Sequence, residues 1–217
     1  MIEKFSGFFN PAIVKQPIHI IGCGAIGSTL TLQLARCGLS DLYLWDFDTV
    51  ESHNLANQQY RFAHIGRPKT ECLKEMVLEI NPHAQVWTKG KWIDDQLTGY
   101  VFLAVDNIEL RKEIVTKQLY NSYVQAMFDF RMRLKDAQHY AADWSEMQNR
   151  KNLLATMQFT QAEADQYTPV NACNMTMSII PTVDTIVSVG VGNFINYLHG
   201  QTLERLIMAN PFDMMIG

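Results

Sequence analysis

Hydrophobic and polar positions along this chain follow two periods in turn. Short apolar runs of strand length are separated by stretches with a 3.6-residue repeat. The first run, Ile18-His19-Ile20-Ile21, suits a buried parallel strand. A helix is expected from Ala25 to about Arg36, with Gly38 placed to end it in the left-handed region. Leu42-Tyr43-Leu44-Trp45 reads as a second strand. Gly66-Arg67-Pro68-Lys69 opens a second helix, in which Leu73, Met76, Val77 and Ile80 recur at helical spacing until Asn81-Pro82 stops it. Val86 and Trp87 suggest a third strand, residues 100–105 a fourth, and 124–128 a fifth, with a helix over about 109–120. Residues 137–142 are expected as a sixth strand. Residues 144–171 turn polar and irregular, with room for one or two short helices, and 175–180 read as a strand or the end of that loop. Residues 183–198 are apolar nearly all round, which predicts a fully buried helix or one at a subunit interface. Leu206-Ile207-Met208, followed by Pro211 and Met214-Met215-Ile216, looks like one or two edge strands.

Composition narrows the class. A chain of 217 residues with ordinary apolar content is most simply one domain, and its net charge of −4 suggests no nucleic-acid face. No apolar run is long enough to span a bilayer, and Met1-Ile2-Glu3-Lys4-Phe5 lacks a signal-peptide pattern. A cytoplasmic protein with no membrane contact is therefore expected. Cys23, Cys37, Cys72 and Cys173 form no CxxC pair, so neither a tetrathiolate zinc site nor a disulfide framework is indicated. Cys23 and Cys37 read as small buried hydrophobes.

The chemistry concentrates where strands end. Gly22-Cys23-Gly24-Ala25-Ile26-Gly27 follows the first strand and opens the first helix. Gly22 permits a tight turn, Gly24 lets a phosphate approach the backbone, and Gly27 lets the helix lie close to the strand. The helix from Ala25 would aim its free N–H groups and positive dipole end at that phosphate. Asp46 ends the second strand, where an acid can accept ribose hydroxyls. The whole pattern is α/β. A Rossmann-like parallel half over residues 1–128 continues into a mixed, partly antiparallel sheet over 129–217, with helices on both faces. Residues 47–61 form a polar loop at the same sheet edge. Lys69 sits in the first turn of its helix, the wrong end for a cation, so it is either solvated or aimed at an anion. Asp106 is a candidate catalytic acid or a cap for the following helix, with Asn107 beside it. Asp48 supports the site or shapes its loop, and Arg111 binds a phosphate or pairs with an acid. The six histidines show no ligand spacing.

Taken together, these pieces resemble the ThiF/MoeB family of ATP-dependent adenylyltransferases, in the superfamily of ubiquitin-activating enzymes. The resemblance is carried by Gly22 to Ser28, by Trp45-Asp46-Phe47-Asp48-Thr49-Val50-Glu51 with Asn54-Leu55 and Gln58, by Ile65-Gly66-Arg67-Pro68-Lys69, and by Asp106-Asn107 with Arg111. It runs in the family's order from about residue 17 to 115, and more loosely through Phe128-Asp129-Phe130-Arg131-Met132 and Cys173. It implies that Gly22, Gly24, Ala25 and Gly27 hold ATP phosphates and that Asp46 holds the ribose. Asn54, Gln58 and Lys69 match the phosphate-contacting part, and Asp106 matches the essential aspartate near Mg²⁺. The implied reaction is attack of a carboxylate on the α-phosphate of ATP. That carboxylate is expected to be the C-terminus of a small ubiquitin-like or sulfur-carrier protein. A homodimer is implied, and Cys173 is a candidate for thioester formation.

Three departures accompany the resemblance. Asn57 stands where the family's motif has an arginine, with Arg61 the nearest arginine in the loop and the expected substitute. No arginine precedes Arg36, only Lys4 and Lys15, whereas many members insert an N-terminal arginine into the partner's site. The family's paired zinc-binding CxxC motifs are absent. The first two keep a non-catalytic binding module of the same fold open as an alternative. An NAD-dependent oxidoreductase would share the glycine loop and Asp46, but would not call for Asn54, Lys69 and Asp106 together.

Overall fold

The computed structural model describes residues 4–170 and 176–217. A strand–helix–strand unit opens the fold, with β1 (Ile18–Ile21), α1 (Ala25–Arg36) and β2 (Asp41–Trp45). Then come α2 (Lys69–Ile80), β3 (Gln85–Lys89), β4 (Gly99–Leu103), α3 (Ile108–Gln118), β5 (Val124–Arg133) and β6 (Asp136–Asp143). The chain ends with α4 (Met147–Ala155), α5 (Gln161–Gln166), α6 (Ile180–Leu198), β7 (Leu206–Asn210) and β8 (Met215–Ile216). The eight strands form one sheet in the order β3-β2-β1-β4-β5-β6-β7-β8. The first five are mutually parallel, and β6, β7 and β8 each run antiparallel to the strand before. β1 therefore has β2 on one side and β4 on the other. At that switch point the connections leave in opposite directions and open a crevice at the carboxyl ends of the strands.

Two hydrophobic cores lie on opposite faces. Ile18 and Ile20 of β1 point into one with Leu30 and Leu34 of α1, Leu73 of α2, and Val187 and Phe194 of α6. Ile21, Val101 and Leu103 point into the other with Ile114 of α3 and Leu153 of α4. The alternation along each strand is what sorts side chains between the two faces. Phe194 meets Phe102 and Phe128 edge-on, with both centroid separations 5.2 Å, and this seats α6 on the sheet.

The periodic segments form where the pattern places them, and the differences have local causes. β5 runs five residues beyond the expected end, because Asp129, Arg131 and Arg133 interrupt the apolar run without interrupting the strand. β4 stops two residues early, as Ala104 and Val105 turn towards Gly22. α6 is not buried all round. Asp184, Ser188, Gly192 and Asn196 recur every fourth residue and form an exposed stripe. The described part of 175–180 is no strand, only isolated bridges from Thr176 to Val170 and from Ser178 to Leu134. β7 is an interior strand, and β8 alone of the two tail strands is an edge. No helix among the described residues is long and apolar enough to cross a membrane.

Candidate active site

The turn after β1 is shaped by contacts that leave no room for a side chain. Gly22 has φ 95°, and a Cβ there would lie 2.7 Å from the Ala104 carbonyl. A Cβ on Gly27 would lie 1.8 Å from the Gly22 oxygen, so α1 sits directly on the turn. Gly24 differs, because a Cβ there would meet open space. Gly24 is also the N-cap of α1, with no side-chain cap and no acid in the first turn. The first N–H groups of α1 are thus left to whatever enters from that open side. Tyr60 holds the outside of the turn, its hydroxyl donating to the Cys23 carbonyl at 2.6 Å.

Asp46 grips the same turn. One carboxylate oxygen accepts from the Cys23 N–H at 2.7 Å, the other from the Asp48 N–H at 2.8 Å. Burial nevertheless keeps its carboxyl above the usual range, outweighing those two bonds. Each oxygen retains a lone pair for a further donor. Lys69 is 7 % exposed, and its ammonium meets the Asp48 carboxylate at 2.9 Å. Between the two earlier readings of Lys69, the structure gives the anion, and Asp48 supplies it. Asn54 is buried, its Oδ1 accepting from the Glu51 N–H at 2.9 Å, which leaves its amide N–H₂ to donate. Gln58 has a buried Oε1 with no hydrogen-bond partner among the described residues. That acceptor is available to a donor entering the same cleft.

Gly22, Gly24, Ala25, Asp46, Asp48, Asn54, Gln58, Lys69, Asp106, Asn107 and Arg111 all line one cleft of ≈ 2340 Å³. Gly27 does not, since it faces the turn's backbone. The structure decides between the alternatives at Asp106 and Arg111 and changes the expectation for Arg61. The cap of α3 is Asn107, whose Oδ1 accepts from the Leu110 N–H at 2.7 Å, so Asp106 is free of that duty and Asn107 is occupied by it. Arg111 pairs with an acid, being buried against Asp129. Arg61 does not reach the cleft, because its guanidinium pairs with Glu79 at 2.9 Å on the exposed flank of α2. Asn57 does line the cleft, and its amide donates to the Ser178 hydroxyl. Cys173 lies outside the described residues.

Sequence reasoning passed over the far end of the cleft. There Arg131, Arg133, Gln138, Tyr140 and Phe159 continue the wall beyond Asp106, and Trp45 and Trp92 close the near side. The available signal was Asp129 and Arg131 two apart in an otherwise apolar strand. That spacing puts both on one face. No group of three or more His, Cys, Asp or Glu side chains among the described residues is arranged to hold a metal ion. Mg²⁺ bound through one carboxylate, waters and substrate phosphates needs no such group, and the lone Asp106 fits that mode.

Comparison with known proteins identifies relatives of this chain. The chain is 32 % identical over 111 residues to the molybdopterin-synthase adenylyltransferase of Salmonella typhimurium, covering 48 % of this chain and 45 % of that one. It is 32 % identical over 133 residues to ubiquitin-like modifier-activating enzyme 5 of Dictyostelium discoideum, covering 52 % and 34 %. The chain thus matches less than half the length of either relative. Among solved structures, E. coli MccB with ATP superposes with a TM-score of 0.69 over 95 % of this chain and 64 % of that one, at 18 % identity, a likeness of fold. The family model described as the ThiF family matches residues 9–212, almost end to end, and the chain belongs to that family.

Proposed function

We propose that this protein is an ATP-dependent adenylyltransferase. It activates the C-terminal carboxylate of a small ubiquitin-like or sulfur-carrier protein as an acyl-adenylate, releasing pyrophosphate. The observation that carries this is the uncapped N-terminus of α1, opening at Gly24 into a cleft that also holds Lys69, Asn54 and Asp106. Transfer of a nucleotidyl group calls mainly for positioning and for neutralising charge on phosphate oxygens. The α1 N–H groups bind anionic oxygens, Asn54 donates to them, and Lys69 shifts its charge between Asp48 and the phosphates. Asp46 accepts from the ribose with its remaining lone pairs. Asp106 would hold Mg²⁺, which supplies charge neutralisation at the phosphates when bound. The cleft is larger than the roughly 300–1,000 Å³ of an ordinary small-molecule site, which suits a nucleotide and an incoming chain end together. Relatives act on molybdopterin synthase and ubiquitin-like modifiers by name, which supports the choice of acceptor class.

A second reading draws on Asn57. With its amide on Ser178 and Arg61 facing Glu79, the motif arginine has no replacement at that place, as a nucleotide-binding module without chemistry would have. One experiment separates the readings. ATP–pyrophosphate exchange is assayed with a small carrier protein ending in Gly-Gly, for the parent and for Asp106→Ala. The enzyme reading expects exchange that falls by at least about a hundredfold in Asp106→Ala. Thermal stabilisation by Mg²⁺-ATP without exchange supports the module. Stabilisation by NAD but not ATP overturns both.

A further inference from the structure

None of the described residues hydrogen-bonds the Asp106 carboxylate, and the residue is exposed in the cleft. Its place is set through the backbone, and that backbone is gripped from behind. Arg111 donates one guanidinium nitrogen to the Val105 carbonyl, the peptide joined to Asp106. Its other terminal nitrogen reaches the Leu103 carbonyl at 3.5 Å and one oxygen of Asp129. Asp129 is 0 % exposed. Its second oxygen accepts from Nε of Arg131 at 2.7 Å. Arg131 goes on to Thr156 at the end of α4, donating to its carbonyl at 2.9 Å and its hydroxyl at 2.8 Å. The same guanidinium lies 4.4 Å from the Tyr140 ring centroid. An unbroken series of charge-assisted bonds therefore runs from α4 through β5 to the peptide before Asp106.

Two cations share one buried anion here, an arrangement that costs desolvation and returns geometry. Both terminal nitrogens of Arg111 already bond the protein's own carbonyls or Asp129, which leaves it poorly placed as a phosphate ligand. We propose that the Arg111–Asp129–Arg131 triad is the positioning device for Asp106, with Arg111 holding the loop and Asp129 holding Arg111. As far as the metal at Asp106 is concerned, this rests on the proposed function.

The test uses Arg111→Lys, which keeps the charge and loses the fork, and Asp129→Asn, which keeps the shape and loses the charge. Should Asp129→Asn fail to fold, Arg111→Lys carries the test alone. Hydrogen exchange is read first. The N–H of Ala104 is bonded to the Ile21 carbonyl at 2.8 Å and that of Ile108 to Gln161 at 3.0 Å, so they bracket the loop. Both are expected to exchange at least about tenfold faster in either variant, while α6 keeps its protection. The melting shift is read second, with ATP in EDTA and with ATP plus Mg²⁺. The variants are expected to keep the metal-free shift and to lose the Mg²⁺-dependent part, as Asp106→Ala does. Arg111→Lys added to Asp106→Ala then changes nothing more. Unchanged exchange at Ala104 and Ile108 overturns the proposal. So does loss of the metal-free ATP shift, which a direct phosphate ligand demands. If Asp106→Ala alone keeps the full Mg²⁺-dependent shift, the metal reading of Asp106 falls, and amide exchange still decides whether the triad holds the loop.

Discussion

A motif residue and its nearest chemical equivalent need not occupy the same space. Arg61 lies four positions after Asn57, yet the intervening turn carries its side chain out to Glu79, with 59 % of it exposed. An exposed ion pair is worth about 0–1 kcal/mol, because water screens it and two long side chains must be ordered. Arg61→Ala is therefore expected to cost less than about 1 kcal/mol in urea unfolding. It should leave the Mg²⁺-ATP melting shift at the parent value. A strongly reduced shift in that variant would place Arg61 at the nucleotide after all. Arg111 teaches the complementary lesson. Its spacing from Asp106 was readable, but its partner Asp129 lies in β5, and only the fold brings helix and strand together.

At the scale of elements, periodicity located β1, α1, β2 and α2 almost to the residue, because each carries one dominant period and a recognisable stop. Gly38, at φ 83°, ends α1 as expected. Legibility fell where an element serves two masters. β5 mixes a buried charge pair into an apolar run, and α6 combines a wide apolar face with a narrow stripe of small and polar residues that composition alone blurs. The site followed the same rule. The places of the glycine turn, Asp46 and Lys69 on the cleft were legible from local spacing, while the partners of Asp48, Asn107 and Asp129 depend on contacts between elements. α6 also contains a sharp test of packing. A Cβ on Gly190 would lie 2.4 Å from the Phe130 ring, which is fully buried and cannot swing aside. Gly190→Ala is expected to destabilise the protein by about 1–3 kcal/mol through overpacking. A shift of the urea midpoint reports it. A stabilised variant would mean that α6 moves off the sheet without penalty.

For the molecule as a whole, acid sensitivity has identifiable sources. His19 and His139 are buried, and burial lowers each from 6.5 to about 4. Above pH 6.5 both states of the chain hold these imidazoles neutral, and the two residues add no pH dependence. Between that pH and about 4 the unfolded chain takes up protons that the folded one refuses, so stability falls as pH falls through this window. Asp46, with its carboxyl held above its usual value by burial, acts in the opposite sense. Urea unfolding between pH 7 and 4 is expected to show a net loss, and imidazole NMR signals should show two rings that stay neutral to about pH 4. Rings that all titrate near 6.5 would contradict the buried placement.

The cleft wall formed by Trp45 and Trp92 gives the molecule an optical property. Of its four tryptophans, these two are nearly sealed, at 6 % and 2 % exposed, and both touch the space where a nucleotide is proposed to sit. Trp144 is buried in the core away from the cleft, and Trp87 is half-exposed on the outer strand, stacked on Tyr43. The indoles therefore divide into a pair that samples the cleft and a pair that does not. Intrinsic emission from the unlabelled protein carries a built-in reference together with its reporter.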